Sequence, residues 1–286
     1  PAASAKTYPS GTRRRRGAAL RAARAAGEAN EARVVTTFLG AHALPKEFRD
    51  DRKKYVQQVI NDQLPVIVKY GLADNVDVFC DSIGFTLEES RDILTAGQRA
   101  GLKVKAHAEQ IAHTGCASLV AELGGISADH LERCTDEDIA AMKDKDVVAV
   151  CLPGAQMYLH DSPPPIQQFR AAGVKMAVAT DLNPGSSPIH DLWTTATLAC
   201  VLQGMTIDEA VQGITRNAGY AIGRPDVGWL GVDGQSVADL ALFSTQPGDP
   251  STAASLVQNI GGHTTEVVIR DGKVVFDAAD NKRRRR

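Results

Sequence analysis

The sequence predicts an α/β protein in which parallel strands alternate with helices that lie outside the sheet. Six short β-rich segments recur at regular spacing, and each is followed by a segment with apolar residues at helical spacing. His or Asp residues stand at the ends of several of these strands. The chain has 286 residues, enough for one barrel-sized domain. These observations together favour a (β/α) barrel.

The first three strand and helix pairs follow clear local signals. A capping box from Thr86 to Glu89 begins one helix, and Gly101 ends it. The strands are predicted over residues 34–42, 76–80 and 102–107, and the helices over 47–70, 86–101 and from the third strand to about 123.

Three further pairs complete a barrel region over residues 31–224. The strands are predicted over 126–130, 147–152 and 174–181, and the helices from about Thr135, over 163–172, and over 188–204 with 206–221. The pattern then changes to a strand over 239–243 and a hairpin over 264–276 that turns at Asp271-Gly272. Residues 225–280 are therefore predicted to form a small C-terminal β element.

Both ends of the chain are basic. Residues 1–30 are rich in Arg and Ala, and a basic tail covers 281–286. An acid-poor leader of this kind is typical of a transit peptide, although residues 22–28 also fit the end of a helix that leads into the first strand. The net charge of −2 argues against nucleic acid or a membrane surface as the partner, and no apolar run reaches the length of a membrane span.

The five cysteines show no CxxC spacing, which argues against a structural zinc site or a disulfide framework. We therefore expect reduced thiols and a cytoplasmic protein.

Three strand ends carry the residue types that a catalytic site needs. Asp181 ends an apolar strand and opens a loop of Gly, Pro and Ser, while His107 and His130 stand at two other strand ends. Because active sites of (β/α) barrels form at the carboxyl ends of the strands, we expect these residues to share one site. Simpler alternatives exist for each alone: an Asx turn at Asp181, a capped strand end at His42, and a hydrogen bond at a helix start for His130. The remaining histidines, at 113, 160, 190 and 263, are predicted to be surface or packing residues.

Five motifs together resemble imidazolonepropionase, a family of the amidohydrolase superfamily. They are Thr36-Thr-Phe-Leu-Gly-Ala-His42, Asp77-Val-Phe-Cys-Asp81, His107-Ala-Glu-Gln110, Ser127-Ala-Asp-His-Leu-Glu132 and Ala179-Thr-Asp-Leu-Asn-Pro-Gly-Ser-Ser187. The resemblance runs from about Val34 to the end of the chain. It implies a TIM-type barrel and hydrolysis of the cyclic amide of 4-imidazolone-5-propanoate to N-formimino-L-glutamate, a step of histidine degradation. It also implies a small-molecule substrate and leaves a homodimer open as the assembly.

The resemblance implies a role for each matching residue. His107 and Asp181 resemble ligands of Zn²⁺ or of iron, as Fe²⁺ or Fe³⁺, because imidazole and carboxylate groups suit these metals. Asp181 would also accept a proton from the attacking water, and His130 would orient that water or stabilise the oxyanion. The residues that resemble substrate contacts are His42, Gln110, Asn183, Gly185 and Ser186, and Gln110 also stands where other members carry a catalytic glutamate.

The sequence departs from the family pattern in the first strands. It contains no His-x-His, the motif that supplies two further metal ligands, nor the substrate-binding arginine that follows that motif, and Lys6 to Gly11 is at most a trace of the Lys-Ser-Gly-Tyr-Gly loop. We therefore expect an N-terminally incomplete barrel with unpaired strand edges and little or no activity from the 286-residue chain. The alternatives are another amidohydrolase, such as a deaminase or cyclic-amide hydrolase, and a non-catalytic truncated barrel.

Overall fold

The computed structural model describes residues 17–232, 234–244 and 252–280. The strands are β1 (Thr37–Ala41), β2 (Asn75–Cys80), β3 (Lys103–Ala108), β4 (Ser127–His130), β5 (Val148–Cys151), β6 (Met176–Val178), β7 (Leu240–Ser244), β8 (Thr264–Arg270) and β9 (Lys273–Asp277). The predicted trace at Lys6 to Gly11, the first part of the 1–30 segment and the basic tail at 281–286 lie outside the described residues.

Twelve α-helices accompany these strands within the described ranges. They are α1 (Ala18–Ala29), α2 (Arg52–Gln58), α3 (Leu64–Lys69), α4 (Leu87–Arg99), α5 (Cys116–Glu122), α6 (Asp136–Asp144), α7 (Pro153–Leu159), α8 (Ile166–Ala172), α9 (Leu192–Gln203), α10 (Ile207–Ile214), α11 (Arg216–Ala221) and α12 (Ala253–Gln258). No helix in this part of the chain is both long and apolar enough to cross a membrane.

The six predicted strands form a parallel sheet in the order β1-β2-β3-β4-β5-β6. Every residue of β2, β4 and β5 is buried, as expected for parallel strands that helices cover. The register pairs Phe79 with His107 and His107 with Asp129, so these three positions lie side by side on neighbouring strands. The alternation of strands and helices predicted from the sequence is confirmed, and among the described residues β1 and β6 stand at the two ends of the strand order.

The helix predicted over 47–70 begins later than expected and contains one irregular turn. The structure has a 3₁₀ turn at Lys46–Phe48, then α2, a π-helical turn at Val59–Gln63, and α3. Pro65 lies in the first turn of α3, and a proline inside a longer helix would remove one backbone hydrogen bond and crowd the preceding turn. The helix therefore continues from Arg52 to Lys69, and its π-helical turn stands just before the proline.

Two short helices were not predicted from the sequence. The first, α7, follows Leu152 and begins at the Pro153-Gly154 pair. Proline at the first helical position is nevertheless a helix-start signal, so this element was detectable. The second, α12, begins after Thr252, whose side chain makes no capping hydrogen bond, and its six residues carry little periodicity.

The described residues divide into two compact units. The first contains residues up to Val150 together with 167–175 and 221–223, and the second contains 151–166, 176–220 and the residues from 224 onwards. The first unit contains β1 to β4 and the first three residues of β5, and its core includes Phe38, Tyr55 and Phe85, which are fully or almost fully buried.

The second unit contains an antiparallel sheet in the order β7-β8-β9. The β8–β9 hairpin turns at Asp271 and Gly272, whose φ angles of 50° and 76° are the left-handed values that such a turn requires. The hairpin predicted at this dipeptide is confirmed. The domain boundaries at 30, 224 and 280 remain predictions.

Candidate active site

Three histidines come together at the carboxyl ends of strands in the first unit. The ring of His107, in β3, lies 5.8 Å from the ring of His42 and 5.5 Å from that of His130, measured between centroids. Phe79 stacks on His42 with a centroid distance of 5.5 Å and an interplanar angle of 26°. The sequence predicted that His107 and His130 would share a site, and the structure places His42 beside them.

His107 is oriented by a buried carboxylate. Its Nδ1 lies 3.0 Å from Oδ1 of Asp77, which stands on β2 and is 2% exposed. Burial by itself would raise the pKa of Asp77, but the adjacent His107 and the ammonium of Lys105 hold it below its usual value. A carboxylate that accepts the Nδ1–H bond sets the tautomer in which the Nε2 lone pair is the ligand atom, as metal-binding histidines require.

A buried ion pair lies below the histidines. Lys105 precedes His107 by two residues and therefore faces the same side of β3. Its ammonium donates to Oδ2 of Asp129 at 3.3 Å, and only 12% and 13% of the two side chains are exposed. Burial would lower the pKa of Lys105, but the charges of Asp129 and Asp77 raise it above its usual value. The Lys105 side chain is therefore charged.

His130 occupies a strained position. Its φ is 81° and that of Leu131 is 73°, so two consecutive residues other than glycine adopt the left-handed conformation. Such strain costs free energy and concentrates at functional sites. The imidazole is buried, and its Nδ1 makes no hydrogen bond in the structure, with the nearest carboxylate oxygen, Oε1 of Glu132, at 3.9 Å. A buried polar atom without a hydrogen bond is the kind of atom that a ligand satisfies.

Asp181, Asn183, Gly185 and Ser186 form a compact loop in the second unit. Asp181 has a φ of 47°, and its carbonyl accepts a hydrogen bond from Nδ2 of Asn183 at 2.8 Å. Oδ1 of Asn183 accepts from the backbone N–H groups of Gly185 at 2.9 Å and Ser186 at 2.8 Å. The Asn183 amide therefore holds the shape of the loop and the position of Asp181. A substrate that contacted Asn183 would meet a side chain that is already ordered.

Gln110 lies in the loop that follows β3, one residue beyond Glu109. The Glu109 carboxylate is fully buried and turns towards α5, where it accepts from the backbone N–H groups of Thr114 at 2.6 Å and Ala117 at 3.1 Å. Glu109 therefore holds the loop and does not replace a proton carrier at position 110. The next residue is held as well, because the Ile111 N–H donates to Oδ2 of Asp81 at 2.8 Å.

The donor chemistry of the site suits a metal ion. Asp77, His107 and Asp129 each offer a ligand atom within 4.8 Å of one another. Because Asp77 and Asp129 also contact His107 and Lys105, we assign them to outer-shell positions that orient the imidazole. The paired Nδ1 of His107 and the unsatisfied Nδ1 of His130 are the features of this structure that fit a metal bound by His107 with a ligand beside it.

Sequence reasoning assigned no role to Asp77, Lys105 or Asp129. Charged residues inside apolar strands were the available signal, since such groups are seldom buried without partners. The motif Asp77-Val-Phe-Cys-Asp81 was recognised only as part of the family resemblance.

The chain belongs to the amidohydrolase family, whose model matches residues 16–276. The fold agrees with this family in its parallel sheet with alternating helices and its polar strand ends.

Within that family, the chain is similar to curated imidazolonepropionases. It is 45% identical over 243 residues to the imidazolonepropionase of Alteromonas mediterranea, covering 85% of this chain and 56% of the relative. It is 46% identical over 244 residues to that of Maricaulis maris, covering 85% of this chain and 59% of the relative. The chain thus spans less than two thirds of the length of these relatives.

Solved amidohydrolase structures share the fold. A mutant atrazine chlorohydrolase from Arthrobacter aurescens, complexed with zinc and atraton, superposes with a TM-score of 0.70 at 18% identity, covering 93% of this chain and 67% of that chain. An adenosine deaminase from Xanthomonas campestris with bound zinc gives a TM-score of 0.68 at 17% identity, covering 87% and 62%. At these identities the likeness concerns the fold alone.

Proposed function

We propose that this chain carries most of the active site of an enzyme that hydrolyses the cyclic amide of 4-imidazolone-5-propanoate to N-formimino-L-glutamate, in cytoplasmic histidine degradation. The observation that carries the proposal is the cluster of His42, His107 and His130, which stands on the motifs shared with imidazolonepropionases. The identity of 45–46% to curated members supports the same substrate.

In the proposed reaction, water adds to the ring carbonyl and the ring C–N bond breaks. The water oxygen becomes part of the new carboxylate, and the ring nitrogen leaves as part of the formimino group after it gains a proton. Asp181 accepts the proton of the attacking water, and His130 stabilises the oxyanion or orients the water. The Nδ1 of His130 supports this assignment. It is buried and makes no hydrogen bond among the described residues, so a bound water or substrate can satisfy it.

His42 and Gln110 are proposed to contact the substrate ring, and Asn183, Gly185 and Ser186 are proposed to hold the substrate or product. Phe79 stacks on His42 and so limits the freedom of that imidazole. Amide and imidazole groups in fixed positions favour a small planar ligand with several hydrogen-bonding atoms.

His107 and Asp181 are proposed to hold the metal, as Zn²⁺ or an iron ion. When bound, such a metal polarises the ring carbonyl and makes hydroxide available near neutral pH. The 286 residues contain no His-x-His, so they supply two of the four ligands that the family resemblance implies. We therefore expect weak metal binding and little or no turnover by this chain.

Product binding tests the proposed substrate without depending on turnover. We expect N-formimino-L-glutamate to bind saturably to the purified chain in the presence of Zn²⁺, as measured by calorimetry. His42→Ala should weaken this binding, whereas His190→Ala, a change at an exposed histidine of the second unit, should leave it unchanged.

Adenosine is the comparison ligand, because a deaminase is the main alternative within the family. Preference for adenosine over N-formimino-L-glutamate would favour the deaminase. An absence of saturable binding of either compound would contradict the proposed function and favour a non-catalytic barrel.

A further inference from the structure

A second group of metal-ligand side chains lies beyond the end of β3, separate from the three clustered histidines. It consists of Glu109, His113 and Asp138, each of which offers a ligand atom within 4.8 Å of the others. Glu109 and His113 belong to the loop between β3 and α5, and Asp138 lies in the first turn of α6. From the sequence alone, His113 was expected to be a surface or packing residue.

The two carboxylates are buried, while the imidazole reaches solvent. Glu109 is fully buried, the Asp138 side chain is 2% exposed and the His113 side chain is 50% exposed. His113 Nε2 lies 3.0 Å from Asp138 Oδ2. A metal ion could therefore enter from the side of His113 and take the place of the hydrogen between these two atoms.

Both carboxylates are held in place by hydrogen bonds from neighbouring groups. Burial would raise the pKa of Asp138, but hydrogen bonds from Ser118 and Thr135 hold it below its usual value. Glu109 accepts hydrogen bonds from the backbone N–H groups of Thr114 and Ala117. The negative field of the pair reaches the neighbouring thiol, because burial and the charges of Asp138 and Glu109 raise the pKa of Cys134 well above its usual value.

We propose that Glu109, His113 and Asp138 form a binding site for a divalent transition metal of the zinc class. Imidazole nitrogen and carboxylate oxygen are both Zn²⁺ ligands, and three protein ligands leave a fourth position for water. The cation would lie against two buried carboxyl groups and tie the β3–α5 loop to α6. That loop begins at Glu109, next to Gln110, so the ion would also fix the loop beside the proposed active site.

Zinc binding by three chains tests this site. Equilibrium dialysis should show that His113→Asn binds one Zn²⁺ fewer per chain than the parent, or binds one ion at least about tenfold more weakly, since even outer-shell changes cost that much. Half of the His113 side chain is exposed, so the shorter asparagine side chain is not expected to disrupt the fold. His160→Asn is the matched control, because His160 is exposed and its φ of 55° is one that asparagine adopts readily.

Thermal unfolding gives a second measurement. Added Zn²⁺ should raise the Tm of the parent and of His160→Asn by more than that of His113→Asn. Asp138→Asn should also lose the ion. Loss in both variants would show that zinc binding depends on the proposed ligand set and not on His113 alone. Equal zinc binding by the parent and His113→Asn, with equal Tm shifts, would overturn the proposal. Because this readout does not use substrate, it is independent of the proposed function.

Discussion

Replacing Lys105 by methionine is expected to lower the free energy of unfolding by about 3–5 kcal/mol, the loss typical of removing one partner of a buried ion pair. Methionine fills a similar volume, but it leaves Asp129 and Asp77 as buried carboxylates without the ammonium that now faces them. Urea unfolding followed by circular dichroism would measure the loss.

The matched control for Lys105→Met is Arg91→Met. Arg91 forms an ion pair with Glu122, but 43% and 58% of these side chains are exposed, so solvent screens the interaction. We expect a loss several times smaller than that of Lys105→Met. Equal losses in the two variants would show that the Lys105 ammonium does not stabilise the fold through the buried carboxylates that face it.

Replacing Asp77 by asparagine is expected to weaken metal binding by about 10–100-fold, the range seen when the outer-shell partner of a ligating histidine is changed. Asparagine can still accept the Nδ1–H bond of His107 through its side-chain oxygen, but it lacks the charge that raises the basicity of the imidazole. Competition with a zinc-binding dye would measure the change in affinity.

Asp191→Asn is the control for Asp77→Asn. Asp191 is also a carboxylate near a histidine, with its Oδ1 3.6 Å from Nε2 of His263, and it caps α9, a role that asparagine fills equally well. Its replacement should leave zinc affinity unchanged. If both variants bind zinc as the parent does, Asp77 does not orient a metal ligand.

Much of the fold could be predicted from the sequence because local signals agree with tertiary structure. The capping boxes at Thr86 and Thr135 begin α4 and α6, and Asp271-Gly272 turns the C-terminal hairpin. Two departures from the prediction involve a proline. Pro65 follows the π-helical turn inside a predicted helix, and Pro153 begins a helix that was not predicted.

The candidate site was predictable in part. Apolar strands that end on His107 and His130 indicated a shared site, since parallel strands place their carboxyl ends together. The outer shell was not predictable, because the contact of Asp77 with His107 joins residues thirty positions apart in the chain and depends on the β2–β3 register. The closeness of His113 to Asp138 likewise depends on how α6 packs beside the β3–α5 loop.

We propose that His107 and Asp181 are metal ligands, and zinc binding tests this proposal most directly. The measurement uses the His113→Asn chain, so that zinc at the second site is not counted, and adds His107→Ala, Asp181→Ala or the control His190→Ala. We predict measurable zinc binding by the starting chain and by the control, and at least about tenfold weaker binding in each of the two ligand variants. No zinc binding by the starting chain, or binding that either ligand variant leaves unchanged, would contradict the claim.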